Sequence, residues 1–557
     1  MKKITFLIVV LFSGIFAFAQ VAPDKYFIQF TDKNDSPYSI NNPGEYLTQR
    51  ALDRRAKYGI EITAQDLPVN PQYIAGVEAL GADLLFPTKW MNGVTVYTTD
   101  PTVIENINAL PYVDGVSLMV SRYDPVKKAL FMNDFSDDKY KSENLKSGNS
   151  VSSMNYGFGT NQIEQLNGIL LHDDGYKGEG MVIAVLDGGF YAVDSQPLFD
   201  SLWANDQILG TKDFVHPGGS VFTESGHGRM VLSCMGANIE GQLVGTAPKA
   251  SYWLLRSEYV VTENVLEEYN WVSAAEFADS VGADVINSSL GYIDFDMPVW
   301  DHDYEDMNGS TAVVTIGADI AESKGILVVN SAGNSGGNPF PWIGAPADGF
   351  DVFSIGAVTS DGDRAGFSSI GPTADGRTKP DIMAQGQGSA VADEGSGVTF
   401  GSGTSFSSPI MAGISTCLMQ AFPNRTPAEI RAAIKQSGNN SSSPDNYMGW
   451  GIPDFMEAYS VMTTIEIEEE NGEIINAYPN PFTDNLTVEL NINGATEAKL
   501  TLMDINGRLV FSDSFSLNGS STQFEIGNKI SQLPAGVYFL GVNSIEKFEV
   551  KRIVKNF

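Results

Sequence analysis

Three residues of this chain combine a nucleophile, a base and a carboxylate in contexts that suit acyl transfer. Asp187 ends the apolar run Met181-Val182-Ile183-Ala184-Val185-Leu186 and precedes Gly188-Gly189. His227 stands between glycines in Glu224-Ser225-Gly226-His227-Gly228, just ahead of the apolar helical stretch Met230 to Ala237. Ser405 falls in Gly401-Ser402-Gly403-Thr404-Ser405-Phe406-Ser407-Ser408-Pro409, ahead of the apolar helical stretch Ile410 to Ala421. A serine hydroxyl is a poor nucleophile until a base takes its proton, and that base needs a carboxylate to hold its tautomer. At a helix start the hydroxyl also lies among unpaired backbone N–H groups and the positive end of the helix dipole, where a developing oxyanion is favoured. Each residue alone has a plainer reading: an Asp before two glycines is often a turn residue, and a lone His is more often structural. The rival reading of the glycine-rich segment as a phosphate loop fails, because no Gly-Lys-Ser/Thr follows. The chain order Asp, His, Ser is one of three known for this constellation. Only three other histidines exist, His172, His216 and His302, so candidates for the base are few.

To converge, these residues need a common rim. From about Tyr156 to Tyr459, near-apolar strands at Val182–Leu186, Ser251–Leu255, Val285–Asn287, Leu327–Asn330 and Phe353–Ile355 alternate with helical patterns. That pattern predicts an α/β fold, a mainly parallel sheet with helices on both faces whose chemistry collects at the carboxyl ends of its strands. Ahead of it, residues 25–119 read as a small α+β unit: strands at Tyr26–Phe30, Asp83–Phe86, Val94–Thr98 and Val116–Val120, helices at Glu45–Lys57 and from Pro101 to Leu110. Behind it, residues 476–557 read as a β-sandwich with turns at Asn506-Gly507 and Asn518-Gly519. A polar stretch, Asn133 to Ser153, and an acidic one from Ile465 to Ile475 that carries Glu466, Glu468, Glu469, Glu470 and Glu473, read as linkers.

Charge and ends narrow the class. Lys+Arg of 34 against Asp+Glu of 68 gives a net charge of -34, which would repel a phosphate backbone and excludes nucleic acid as the main partner. Met1-Lys2-Lys3, an apolar run and Ala17-Phe18-Ala19 form a secretory signal peptide, with cleavage expected before Gln20. No later run is long enough to span a bilayer, so no transmembrane segment is expected after that cleavage. Two cysteines, Cys234 and Cys417, cannot make a disulfide framework, and are either two buried free thiols or one bridge. No His-Glu-x-x-His motif suggests a catalytic metal.

Taken together, Met181 to Phe190, Gly226 to Val231 and Gly403 to Pro409 resemble the three signature segments of the subtilisin family, and the likeness covers about Tyr156 to Tyr459. The resemblance implies a serine endopeptidase that cleaves polypeptide substrates through an acyl-enzyme, with Ser405 attacking, His227 moving the proton and Asp187 orienting the imidazole. Ala332-Gly333-Asn334-Ser335-Gly336 resembles the oxyanion segment, which makes Asn334 the side-chain donor. Asn287-Ser288-Ser289-Leu290-Gly291 resembles the strand that lines the first specificity pocket, so Ser289, Leu290 and Gly291, with Gly344 before Ala345-Pro346, are the expected substrate-binding residues. Gly449-Trp450-Gly451-Ile452-Pro453-Asp454 resembles the family's closing turn. Departures fall beside the triad: Gly188, Phe190, Arg229, Met230 and Tyr292 replace residue types common in relatives, and Tyr292 is expected to crowd an outer subsite. No cofactor is expected for catalysis. Structural calcium is common in the family, and Asn238-Ile239-Glu240-Gly241 lies where relatives carry one binding loop, though no ligand set is identified.

The flanking units carry resemblances of their own. Residues 20–125, chiefly Val77 to Met119, resemble an inhibitory prodomain, which implies an intramolecular inhibitor released by cleavage in residues 126–154; an accessory binding domain is the alternative. The peptidase domain is then 155–462, with an acidic linker at 463–475. Tyr478-Pro479-Asn480-Pro481-Phe482, Asp504-Ile505-Asn506-Gly507-Arg508, Leu533-Pro534-Ala535-Gly536-Val537-Tyr538 and Lys551-Arg552-Ile553-Val554-Lys555 resemble the sorting domain of the type IX secretion system. That implies a zymogen handed to this machinery and secreted or held at the outer cell surface; a carbohydrate-binding module is the alternative for 476–557. Against the endopeptidase stand an inert surface scaffold, which would lack a triad member, and an esterase.

Overall fold

The computed structural model describes residues 24–120, 135–136, 153–470, 475–490, 497–504, 509–516, 522–544 and 548–556. The expected signal peptide, most of the 126–154 linker and both expected turns of the C-terminal domain lie outside these residues. The chain forms two compact units that divide between Ser460 and Val461.

In the first unit a seven-stranded sheet runs in the order Ile382–Gln385, Phe353–Val358, Leu327–Ser331, Val285–Ser288, Val182–Asp187, Ser251–Arg256 and Ile208–Asp213, and every pairing is parallel. Period-two geometry sends Val182, Ala184, Leu186, Ile286 and Val328 to the face covered by the helices Leu266–Val281 and Val313–Ser323. The helices His227–Gly236 and Thr404–Ala421 pack on each other and on the sheet, the latter across its four strands from Val285–Ser288 to Ile382–Gln385. With helices on both sides, the central strands are buried at every position, which is why they read as continuous apolar runs. The Ile208–Asp213 strand, at the sheet edge, is half exposed; without such a run it escapes the periodicity.

The N-terminal strands form an antiparallel sheet in the order Asp83–Thr88, Gly93–Tyr97, Lys25–Phe30, Val113–Leu118. One face is covered by Val77 of the helix Pro71–Glu78 and by Val103 and Ile107 of Pro101–Asn108. Pro71–Glu78 is an addition to the sequence reading; Asn70 caps it, its side chain accepting from Gln72 N at 2.9 Å. The helix expected from Glu45 begins later, at Gln49, because Thr48 accepts the Ala51 amide as its cap at 3.3 Å. Phe27, on the other face of the sheet, lies 4.3 Å from Tyr269 between ring centroids, so this unit packs directly on the helix Leu266–Val281.

The second unit holds a three-stranded and a four-stranded antiparallel sheet around Val488, Leu500, Leu502, Leu540 and Val542, the β-sandwich expected. Part of the acidic stretch read as linker is helical, the helix Phe455–Glu470 running through four of its glutamates; glutamate is a good helix former. No helix among the described residues is long and apolar enough to cross a membrane.

Cys234 and Cys417 are both buried and form no disulfide. Beside Cys417, His172 is buried with Nδ1 2.9 Å from the Tyr156 hydroxyl and Nε2 3.0 Å from the Thr246 carbonyl. Burial lowers its pKa from 6.5 to about 4. Below the ordinary value the unfolded chain takes up a proton that the folded one refuses, so this contribution is full above pH 6.5 and is lost as pH falls toward 4, up to about 3 kcal/mol. Melting temperature should therefore decline over that interval, and less steeply in His172→Gln; equal slopes would refute the assignment.

Candidate active site

Asp187 ends its strand fully buried, a position that an unpaired carboxylate could not occupy cheaply. Its Oδ1 accepts from Gly188 N at 2.7 Å, and both oxygens lie 2.9 Å from His227 Nδ1. The strand alongside places Arg256 opposite Asp187 in register, and Ser257 N bonds the Asp187 carbonyl at 3.0 Å. Arg256 is itself buried and neutralised by Asp213 at 3.0 Å and Glu224 at 3.3 Å. His227 is the first residue of its helix, with its N–H on Ser225 Oγ at 3.2 Å. Gly228 permits this approach: a Cβ there would sit 2.5 Å from the Gly189 carbonyl oxygen and 2.9 Å from the Phe190 ring. With Nδ1–H donated to the carboxylate, Nε2 is left with its lone pair as a base.

Ser405 is the second residue of the helix Thr404–Ala421, so its amide is one of those with no acceptor inside the helix. The His227 ring lies beside this helix start, 6.4 Å from the Phe406 ring between centroids. Pro409 stands four residues after Ser405 and lacks the N–H that would bond the Ser405 carbonyl. Ser289 Oγ donates to that carbonyl instead, at 2.9 Å, so the side chain expected to bind substrate braces the helix. One turn on, Ser408 Oγ is anchored to Asn287 Oδ1 at 3.0 Å.

Asn334 follows the Leu327–Ser331 strand and reaches the same helix start. Its Oδ1 accepts from Thr404 N at 2.9 Å and Thr404 Oγ1 at 3.0 Å, which settles the amide orientation and turns Nδ2 to the other side. Thr404 Oγ1 also takes Gly333 N at 3.1 Å. Thr404 is a positioning residue that the sequence reading passed over, although it stands in the quoted Gly-Thr-Ser segment.

Leu290, Gly291 and Gly344 are buried. The Leu290 carbonyl is held by Asn330 Nδ2 at 3.1 Å, and Tyr292 N donates to Ala345 O at 2.8 Å, joining the two expected substrate-binding segments. The Tyr292 ring does not project into a subsite. It belongs to the core, 1% exposed, with its hydroxyl on Glu258 at 2.9 Å. Phe190 is likewise fully buried, and Arg229 donates to the Tyr191 carbonyl at 3.2 Å. Met230 lines a cavity of about 580 Å³ with His227, Val260, Ala392 and Thr399. Asn238–Ile239 and Leu243–Val244 pair as a tight hairpin whose one carboxylate, Glu240, takes the Asn155 amide at 3.2 Å.

Comparison with known proteins matches residues 178–451 to the Subtilase family, residues 25–132 to the Peptidase S8 propeptide domain of Bacteroidota, and residues 476–556 to the Secretion system C-terminal sorting domain. Subtilisin NAT of Bacillus subtilis subsp. natto is 30% identical over 281 residues, covering 49% of this chain and 65% of that protein. Subtilisin DY of Bacillus licheniformis is 31% identical over 283 residues, covering 50% of this chain and 90% of that protein. Serine protease AprX of Bacillus subtilis (strain 168) is 30% identical over 304 residues, covering 49% and 65%. The chain thus spans just under two thirds of the length of the first and last of these relatives.

A fluorophosphonate ester tests the site without presuming a substrate. A single adduct at Ser405 is expected, with labelling slowed more than about 10³-fold in His227→Ala; labelling of another serine, or indifference to that change, contradicts the arrangement.

Proposed function

This chain belongs to the subtilase family, and we propose that it is a secreted serine endopeptidase, made as a zymogen, in which Asp187, His227 and Ser405 hydrolyse peptide bonds. The observation that carries the reading is the buried Asp187–His227 pair set against a helix that begins at Thr404 and presents Ser405 at its second position. His227 Nε2 takes the proton as Ser405 Oγ bonds to the substrate carbonyl carbon, and Asp187 stabilises the imidazolium. The carbonyl oxygen gains a negative charge, met by the Ser405 amide and Asn334 Nδ2. Collapse expels the amine, which receives the proton from His227, and leaves an acyl-enzyme; water, deprotonated by the same imidazole, then releases the acid and restores the serine.

Residues 24–120 act in this reading as the inhibitor, and their contacts with one helix support it. Glu276, on Leu266–Val281, accepts the Lys89 and Trp90 amides at 2.8 Å each. Asp279, two hydrogen-bonding faces of which are filled from the N-terminal unit, pairs with Arg54 at 2.5 Å, Arg55 at 2.9 Å and Lys89 at 3.4 Å. Arg50 pairs with Asp284, and Arg55 also meets Asp66 at 2.9 Å. Val120, the last described residue of this unit, is buried in one cluster with Leu266. Phe135–Ser136 pairs antiparallel with Ser402 and Gly401, a few residues before Ser405, as a substrate strand would, which supports self-cleavage within the 126–154 linker. The sorting-domain match supports delivery by the type IX machinery to the exterior.

In Ser405→Ala both peptide hydrolysis and self-processing should disappear; a mature N-terminus still forming within 126–154, read by intact mass, would show that another protease does the cutting. Asn334→Ala should lower kcat about 10²–10³-fold with little change in KM, the magnitude established for the corresponding donor in a subtilisin; an equal loss in ester turnover without peptide turnover would favour an esterase. Removing one member of a buried ion cluster costs about 3–5 kcal/mol, so Asp279→Ala should weaken inhibition of the processed enzyme by residues 20–125 roughly 10²–10⁴-fold, and an unchanged inhibition constant would overturn the inhibitory role of this contact.

A further inference from the structure

Beyond the Ser251–Arg256 strand three carboxylates are buried close together. Glu258 stands two residues beyond the Ser251–Arg256 strand, whose Arg256 is in register with Asp187. Glu263 lies on the loop that follows, and Glu267 in the first turn of the helix Leu266–Val281. They are 3%, 7% and 3% exposed, and one oxygen from each lies within 4.8 Å of the others. Their hydrogen bonds are few. Glu258 Oε2 accepts from the Tyr292 hydroxyl at 2.9 Å and Glu267 Oε2 from Asn264 N at 3.1 Å, the Glu258 and Glu267 carboxyls lie within hydrogen-bonding reach of each other, and Glu258 Oε1 accepts from no donor. Among the described residues none of the three forms an ion pair; Arg256, the cation nearest in sequence, is engaged by Asp213 and Glu224. A further acid, Asp296, is drawn to the same loop: its N–H donates to the Glu263 carbonyl at 2.7 Å, and its Oδ2 accepts from Glu263 N at 3.3 Å.

A buried carboxylate without a counter-charge costs several kcal/mol, and each addition raises the cost for the others. Either shared protons or a bound cation can relieve it. Oxygens on opposite sides of a calcium ion, each at about 2.3–2.6 Å from it, stand roughly 4.6–5.2 Å apart, whereas around magnesium they stand about 4.2 Å apart. Oxygens that all lie within 4.8 Å of one another can therefore share one calcium ion. An all-oxygen set, with no His or Cys in the group, selects a hard cation over zinc. The partnerless Oε1 of Glu258 is the donor left waiting for it.

We propose that Glu258, Glu263 and Glu267 form a calcium site, separate from the Asn238–Gly241 hairpin, that ties the loop after the Ser251–Arg256 strand to the helix Leu266–Val281. The site acts on the cleft through Tyr292: its hydroxyl rests on Glu258 while its amide holds Ala345, so the cation keeps the two expected substrate-binding segments in register. It is a positioning site and takes no part in the bond-making steps.

The test uses the full chain carrying Ser405→Ala, so that it stays in one piece, with calcium alone as the probe. Elemental analysis after equilibrium dialysis should find one calcium more in this parent than in the double variant Glu263→Gln/Glu267→Gln. Chelation with EDTA should lower the melting temperature of the parent by about 5–10 °C and that of the double variant by far less. Should the double variant fail to fold, Glu258→Gln, which keeps an acceptor for Tyr292, carries the same comparison. Equal calcium content in parent and variant, or an EDTA shift that the variant retains in full, would overturn the site and leave protons as what holds the carboxylates together.

Discussion

A carboxylate buried at the end of a parallel strand governs much of this molecule. Asp187 has no solvent, and a bare charge there would be too costly to keep, so every group around it is arranged to donate: Gly188 N and His227 Nδ1 to its oxygens, Ser257 N to its carbonyl. Meeting those demands sets positions elsewhere. His227 must begin its helix close to the Gly189 carbonyl, which leaves no room for a side chain at 228. Arg256, in register with Asp187, must be neutralised in turn, and Asp213 and Glu224 are committed to that.

A second constraint comes from Pro409. A proline in the second turn of a buried helix removes a hydrogen bond where it is most missed, at the carbonyl of the proposed nucleophile. Ser289 supplies the replacement, and Asn287 holds the next turn through Ser408. The adjacent strand therefore fixes the helix start to the sheet, and Thr404 fixes Asn334 to the same point. A site built this way is stiff before any substrate arrives, which is what electrostatic stabilisation of an oxyanion requires.

The helix Leu266–Val281 faces three ways. Its inner face carries Trp271, whose indole N–H finds Ser288 Oγ at 2.9 Å in the core. Its outer face, through Glu276 and Asp279, receives the amides and guanidinium groups of the N-terminal unit. Its first turn brings Glu267 to Glu258 and Glu263. Acidic residues on one element thus meet three different answers: backbone donors, buried arginines and, by our proposal, a metal ion. The net charge of the chain is spread over sites with separate tasks as well as over solvated surface.

By itself the sequence determined the class of fold and singled out the three side chains that we propose do the chemistry. Strands buried on both faces must be apolar throughout, and glycines flanking His227 and preceding Ser405 mark places where backbone comes close, so these signals survive in one dimension. It also indicated the C-terminal sandwich, though the pairing of its strands, such as Ala498 with Ser544, spans long stretches of chain. Edge elements were less legible: Ile208–Asp213 lacks an apolar run, and Pro71–Glu78 has only its Asn-Pro start to announce it. Tertiary structure alone decided what polar side chains do, because their partners lie far away along the chain. Ser289 braces a carbonyl 116 residues on, Tyr292 turns into the core toward a glutamate 34 residues back, and three glutamates scattered over one loop and helix converge. A polar group is indifferent to its sequence neighbours once buried; what it must satisfy is the nearest donor or acceptor in space, and only the packed fold says which that is.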